Sequence, residues 1–321
     1  MTQQVTITTG ARLHFGPLAA AGTSGGKFGG VGMMISAPGY SLTSRVAERD
    51  SFTGNETIAA RVAEFVDRIR AASNSTETVT RYSVEIHSTI PAHSGLGSGT
   101  QLGLAVARAL SVLAKEHDVP VEKLARRVGR GLRSAIGLYG FEQGGFLIDG
   151  GRAATKDEIG TLVARIEVPS DWRLVLVSPP QSVGLSGEAE QRAFSKQPPM
   201  SSALTGDLCR IVLMDWMPAL IEADFARTSS AMYDFGLRVG RFFEAAQGGV
   251  FAHPRMARLV EVLRARGVSG IAQSSWGPTL AILCANQPSA TQIVSDFART
   301  SEWSDCEFLV VEPLNRGAVV A

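Results

Sequence analysis

The stretch Ile90-Pro91-Ala92-His93-Ser94-Gly95-Leu96-Gly97-Ser98-Gly99-Thr100-Gln101 carries the residue types and spacing best suited to chemistry in this chain. Glycines at 95, 97 and 99 let a backbone curl closely around a ligand. A strong amphipathic helix is expected to open at Ser98, with Leu102, Ala105, Val106, Ala109 and Leu113 as its apolar stripe running to Lys115. Helix N–H groups without intrahelical partners and the positive end of the helix dipole then converge on the loop, which suits a phosphate. Ser94, Ser98 and Thr100 add hydroxyls, and Ser98 is placed to hold metal-bound water. His93 is placed to neutralise an anion. No Gly-Lys-Ser/Thr ends the loop, so it is not a Walker A site, and its setting is not that of a dinucleotide-binding fingerprint. The plainer reading is a glycine-rich turn with Ser98 or Thr100 as a helix cap.

Other residues draw attention by type and setting. Asp149 ends an apolar strand between glycine pairs, Gly144-Gly145-Phe146-Leu147-Ile148-Asp149-Gly150-Gly151, which suits a ligand to magnesium or to a hydroxyl; a turn aspartate bonding its own backbone is the alternative. Arg12 offers a fork of donors to phosphate or carboxylate. His14 stands two residues on, as an acid/base or a hydrogen-bond donor. Lys27 falls in a glycine-rich stretch over residues 22–32, read as a loop that closes over a ligand. Ser274, Ser275 and Trp276 lie in a second glycine-rich segment, where tryptophan can stack on an aromatic ring. Glu188 and Glu142 are weaker carboxylate candidates. No zinc-spaced Cys/His set, HExxH, GxSxG or basic–aromatic nucleic-acid pattern is present.

Positioning these residues requires a mixed chain. Strands are expected at Val5–Thr9, Ser41–Val46, Tyr82–Ser88, Arg173–Ser178, Thr279–Cys284 and Glu307–Val311. Helices are expected where Ile58, Val62, Phe65, Val66 and Ile69 recur, where Val121, Leu124, Val128 and Leu132 recur, and over 205–225, 228–246, 254–266 and 289–299. A boundary is expected within 152–170, dividing 1–160 from 161–321. The class is α+β in two halves.

Composition narrows the function classes. The 321 residues suffice for one large or two ordinary cores, 45% hydrophobic and 19% charged. A net charge of +1 argues against nucleic acid or an acidic membrane as partner. Cys209, Cys284 and Cys306 form no CxxC pair and read as core thiols, which suits a cytoplasmic protein. No basic n-region precedes an apolar run at the start, and Asp215 and Pro218 interrupt the apolar segment Val212 to Ile221.

Pro91 to Ser98 resembles the central motif of the GHMP kinases. Ala11-Arg12-Leu13-His14-Phe15-Gly16 and Gly270 to Thr279 sit where that superfamily has its N-terminal motif and its C-terminal glycine-rich loop. The resemblance implies an S5-like N-terminal domain, a ferredoxin-like C-terminal domain and a homodimer. Finer segments resemble β-ribofuranosylaminobenzene 5'-phosphate synthase: residues 12–15, 139–151, Gly-Leu-Ser-Gly-Glu at 184–188 and 273–279. That family, in methanopterin biosynthesis, joins 5-phosphoribosyl 1-diphosphate to 4-aminobenzoate or 4-hydroxybenzoate with loss of carbon dioxide and diphosphate. It implies Mg2+ with the diphosphate, Arg12 on a phosphate or carboxylate, and Ser274, Ser275, Trp276 and Glu188 around the aromatic acid. A true small-molecule kinase and a phosphometabolite-binding protein without catalysis are the rival readings.

Overall fold

A computed structural model describes residues 4–20, 27–72, 80–116, 118–153, 158–180 and 197–321. The first lobe begins with β1 (Gln4–Ala19) and β2 (Phe28–Ala47), long antiparallel partners. Val5, Ile7, Ala11, Leu13 and Phe15 are buried on β1, the period of a strand with its apolar face on a core. β3 (Ser51–Phe52), α1 (Glu56–Ala71) and β4 (Arg81–Ser88) follow. Then come α2 (Ser98–Leu113), α3 (Val121–Arg127) and α4 (Ile136–Gln143), with β5 (Phe146–Asp149) and β6 (Leu162–Ile166) completing the lobe. A last strand, β11 (Val319–Val320), joins this sheet, whose order is β11-β1-β2-β4-β3, with β5 also on β2 and β6 beyond it. The helix α2 is buried along nearly its whole length.

Two expectations shift here. β1 continues well past Thr9, and residues 28–32 are strand, so the glycine-rich loop expected over 22–32 gives way to β2 at Phe28. Glycine at 32 permits the close approach, since a Cβ there would lie 2.5 Å from the Leu13 carbonyl oxygen. Helix α3 stops at Arg127 rather than reaching Leu132, because Gly129 and Gly131 take left-handed backbone at φ 64° and 89°.

The second lobe is a four-stranded antiparallel sheet of β7 (Arg173–Ser178), β8 (Ile271–Gln273), β9 (Leu280–Cys284) and β10 (Glu307–Val311). Its order is β10-β7-β9-β8, which is the ferredoxin-like arrangement. Between β7 and β8 lie α5 (Ser202–Arg210), a π-helical stretch Ile211–Trp216, α6 (Met217–Ile221), α7 (Phe225–Gln247) and α8 (Pro254–Ala265). α9 (Gln287–Phe297) joins β9 to β10. The wide turn precedes Pro218, which has no N–H to continue an α ladder.

The passage between sheets falls after Ile166, and β11 (Val319–Val320) returns to pair with β1. Trp216, fully buried, packs its ring at 5.1 and 4.9 Å from Phe15 and Phe146 of the first lobe and 5.7 Å from Phe235 of α7. The lobes thus share one core. Cys209 is exposed, against the expectation of a core thiol, because it follows buried Leu208 on the outward face of α5. Among the described residues, no helix is long and apolar enough to cross a membrane.

Candidate active site

A cavity of about 540 Å³ opens where the lobes meet. One wall is the loop at the start of α2. Gly97 caps that helix in left-handed backbone at φ 76°, with no side-chain hydrogen bond to the helix end. The first turn, Ser98 to Thr100, therefore lines the cavity; the Thr100 N–H is taken by Gly97 O at 3.0 Å, and the N–H groups of Ser98 and Gly99 are the ones offered to an anion. Gly95, at φ 82°, sits against the second lobe, where a Cβ would collide with the Ser274 carbonyl oxygen.

Strand β1 supplies Arg12 and His14, two residues apart and so on one face. A bulge between His14 and Gly16 breaks the register, which brings Phe15 to line the same cavity. Arg12 Nη1 donates to the Gly95 carbonyl at 3.1 Å, and its backbone N–H donates to Leu96 at 3.1 Å. His14 is tied to both lobes. Its N–H donates to Ser274 Oγ at 3.1 Å, its carbonyl accepts from Ser275 N–H at 2.7 Å, and Nε2 lies 3.0 Å from Ser134 Oγ. Burial and then the adjacent Arg12 charge depress the His14 pKa to about 3. The ring is neutral at physiological pH, so it acts as a hydrogen-bonding group and not as a cation.

The walls differ in chemistry. The first-lobe wall presents Arg12, Arg61, Arg130, Arg133, His14 and His93, and no Asp or Glu appears among the described lining residues. Facing it, Val239, Phe243 and Trp276 of the second lobe join Phe15, Pro17 and Phe28 in an apolar, largely aromatic surface. Trp276 and Phe243 meet edge to face at 4.8 Å. Gln247 and Ser275 are the polar side chains on that side. Gln273 Oε1 must accept from the Ala252 N–H, so its Nε2 donates to Ser275 O and to Gln247 Oε1.

The structure brings together Arg12, His14, His93, Gly95, Gly97, Ser98, Gly99, Thr100, Ser275 and Trp276 at this cavity. It sets the others apart. Ser274 is fully buried, and its hydroxyl donates to Gly95 O at 2.7 Å while accepting from His14, so it clamps the lobes. Asp149 is buried away from the cavity lining; its two oxygens accept from Ala135 N–H at 2.7 Å and Gly151 N–H at 2.8 Å. Burial raises its pKa, opposed by those two bonds. Asp149 thereby fixes the turn that carries Ser134, the partner of His14. Ser94 donates to Pro91 O at 2.8 Å and does not line the cavity. Lys27 is bridged through its backbone to Arg152, beside Asp149 and outside the main cavity. Glu142 pairs with Arg108 at 2.9 Å. Glu188 lies outside the described residues.

Sequence reasoning missed Arg61, Arg130, Arg133, Phe243 and Gln247, which reach the cavity from α1, from the turn after α3 and from α7. A signal was present in Gly129-Arg130-Gly131, where arginine between two glycines marks a cation on a tight turn. A magnesium cage is not built by this donor set. Among the described residues no three His, Cys, Asp or Glu groups cluster, and the Asp149 oxygens are already engaged.

Two family models match, the GHMP kinases N terminal domain over residues 58–143 and the GHMP kinases C terminal over residues 216–301. A Beta-ribofuranosylphenol 5'-phosphate synthase of Archaeoglobus fulgidus is 28% identical over 335 residues, covering 98% of each chain. One from Methanothermobacter thermautotrophicus is 28% identical over 302 residues, covering 87% of this chain and 88% of its own. A homoserine kinase structure from Cytophaga hutchinsonii superposes with a TM-score of 0.66 at 15% identity, over 100% of this chain and 98% of that one. Mevalonate pyrophosphate decarboxylase from Streptococcus pyogenes gives 0.66 at 12% identity, over 98% of both.

Proposed function

The chain belongs to the GHMP kinase superfamily, and from that premise we propose that it is a pentosyltransferase of methanopterin biosynthesis rather than a kinase. The reading is that it joins 5-phosphoribosyl 1-diphosphate to 4-hydroxybenzoate or 4-aminobenzoate, releasing carbon dioxide and diphosphate. The relatives named for a ribofuranosylphenol product favour the hydroxyl-bearing ring. The observation that carries the proposal is the pairing of a basic wall with an aromatic wall and no carboxylate among the described lining residues.

That pairing suits the chemistry step by step. The bond between the anomeric carbon and diphosphate breaks, and diphosphate keeps the electron pair. Arginines and the first turn of α2 stabilise the departing charge, in a site where burial strengthens each contact. The sugar is left electron-poor at its anomeric carbon. The ring carbon bearing the carboxylate forms the new carbon–carbon bond. The bond to the carboxylate then breaks, carbon dioxide leaves, and the electron pair restores aromaticity. No proton is taken from the ring, so no general base is needed for the transfer. A kinase must instead relieve an attacking alcohol of its proton. Trp276, Phe243 and Phe28 hold the ring and keep water from the cationic sugar. Arg12 and Ser98 hold phosphate oxygens, and neutral His14 hydrogen-bonds without adding charge beside the sugar. Magnesium, where present, would travel with the diphosphate.

Purified protein given phosphoribosyl diphosphate and each aromatic acid tests this by mass spectrometry of the product. A ribosylated phenol or aniline bearing one phosphate supports the reading. Transfer from ATP to an alcohol would replace it with the kinase. Binding without any turnover would leave only a phosphometabolite-binding protein.

A further inference from the structure

Arg61 reaches the cavity from α1 and Arg130 from the turn after α3, and both guanidinium groups converge on Gly99. A Cβ on Gly99 would collide with Arg61 Nη2 and lie 3.3 Å from Arg130 Nη2. The third glycine of the loop thus makes room for two cations at the open turn of α2.

Among the described residues, neither arginine has a carboxylate within ion-pair distance. Glu64, which attracts Arg130, is bonded to Arg68 at 2.7 Å. Arg130 instead rests on the face of Phe65, 5.4 Å from its ring centroid, and its buried Nε has no hydrogen-bond partner. Burial, then the charges of Arg61, Arg68 and Arg133, press the Arg130 pKa downward. Like charges drawn together and partly desolvated raise the free energy of the empty site and lower it when an anion arrives.

We propose that Arg61 and Arg130 form a guanidinium clamp that takes a diphosphate group directly at the start of α2, without a cation held by the protein. The proposal rests on the reading of the cavity as a phosphoribosyl diphosphate site and assigns the diphosphate end to the Gly99 side. The single guanidinium of Arg12, at Gly97 beside His14, then serves the sugar or its lone phosphate. Two planar forks match a group with oxygens on two phosphorus atoms better than one does.

Calorimetric titration with inorganic diphosphate, in EDTA and then in magnesium, tests the clamp on the intact protein. Wild-type protein should bind diphosphate in EDTA, and more tightly than inorganic phosphate. Arg61→Gln and Arg130→Gln should each weaken diphosphate binding roughly 10- to 100-fold, the loss of a charge-assisted contact. Circular-dichroism melts establish folding. Should Arg130→Gln not fold, Arg61→Gln and Arg130→Lys carry the test, the lysine keeping the charge but losing the fork. Binding that requires magnesium, or glutamine variants that bind as wild type does, would overturn the clamp. Product formation separates the two ideas. Diphosphate bound through these arginines with no ribosylated product sinks the transferase reading alone. Product formed by a protein whose diphosphate affinity ignores both arginines sinks the clamp alone.

Discussion

Ser274→Ala separates a residue that clamps the lobes from one that touches substrate. The hydroxyl is fully buried, donates to Gly95 O at 2.7 Å and accepts from His14 N–H at 3.1 Å. Alanine keeps the shape and removes both bonds. Gly95 O retains the Arg12 guanidinium at 3.1 Å, so its loss is modest, about 0.5–1.5 kcal/mol. The His14 N–H is left buried without an acceptor, which costs roughly 1–3 kcal/mol. Together the substitution should destabilise by about 1.5–4.5 kcal/mol, with faster amide exchange in peptides from β1 and from residues 270–279. Urea unfolding followed by tryptophan fluorescence reads the first, and hydrogen-exchange mass spectrometry the second. Ser275→Ala provides the contrast, since that side chain lines the cavity; it should raise KM with little change in stability. A Ser274→Ala protein of unchanged stability whose only defect is a raised KM would refute the clamp.

Acid should weaken the fold through His14. Its folded pKa of about 3 lies below the unfolded value of 6.5, so the unfolded chain takes the proton first. The stabilisation is present above pH 6.5 and declines as pH falls toward 3, reaching a loss of roughly 2–3 kcal/mol at pH 4.5. His14→Gln should flatten that slope in melts collected between pH 4.5 and 7. Nitrogen-15 spectra of labelled histidine should find the His14 ring neutral across pH 5 to 8, and a titration near 6.5 would contradict the burial argument. Gly97→Ala should cost about 1–2 kcal/mol for left-handed backbone and displace Arg12, whose Cγ would lie 2.7 Å from the new methyl. Its KM for phosphoribosyl diphosphate should rise, and unchanged kinetics would count against the loop as the phosphate site. Asp149→Asn replaces an acceptor by a donor against Ala135 or Gly151 N–H, so it should lower stability by roughly 1–3 kcal/mol before it affects any metal dependence.

The individual strands and the loop before α2 were legible because each rests on local pattern, whereas the ferredoxin-like order of the second sheet came only with the resemblance to the GHMP kinases. Alternation on β1, the glycines before a helix and the apolar stripe of α2 need no knowledge of distant residues. What stayed hidden depends on partners far along the chain. Nothing near Ser274 says that its hydroxyl meets Gly95 and His14, and nothing near Asp149 says that its carboxylate holds Ala135. Asp149 was expected at the substrate for its place between glycine pairs, and Ser274 for its place in the second glycine-rich segment. Arg61 carries no local mark in the sequence, and only its convergence with Arg130 on Gly99 gives it a role. The end of the glycine-rich run misled because glycine at 30 and 32 answers close approaches to β1 within the sheet, while residues 22–26 of the expected loop lie outside the described residues.

The most direct test of a basic wall and an aromatic wall acting on one substrate pair uses 4-hydroxybenzoate labelled at the carboxyl carbon. Labelled carbon dioxide should appear only with phosphoribosyl diphosphate and in a one-to-one ratio with released diphosphate. Diphosphate released while the label stays on the ring, or no release of either, would contradict the account.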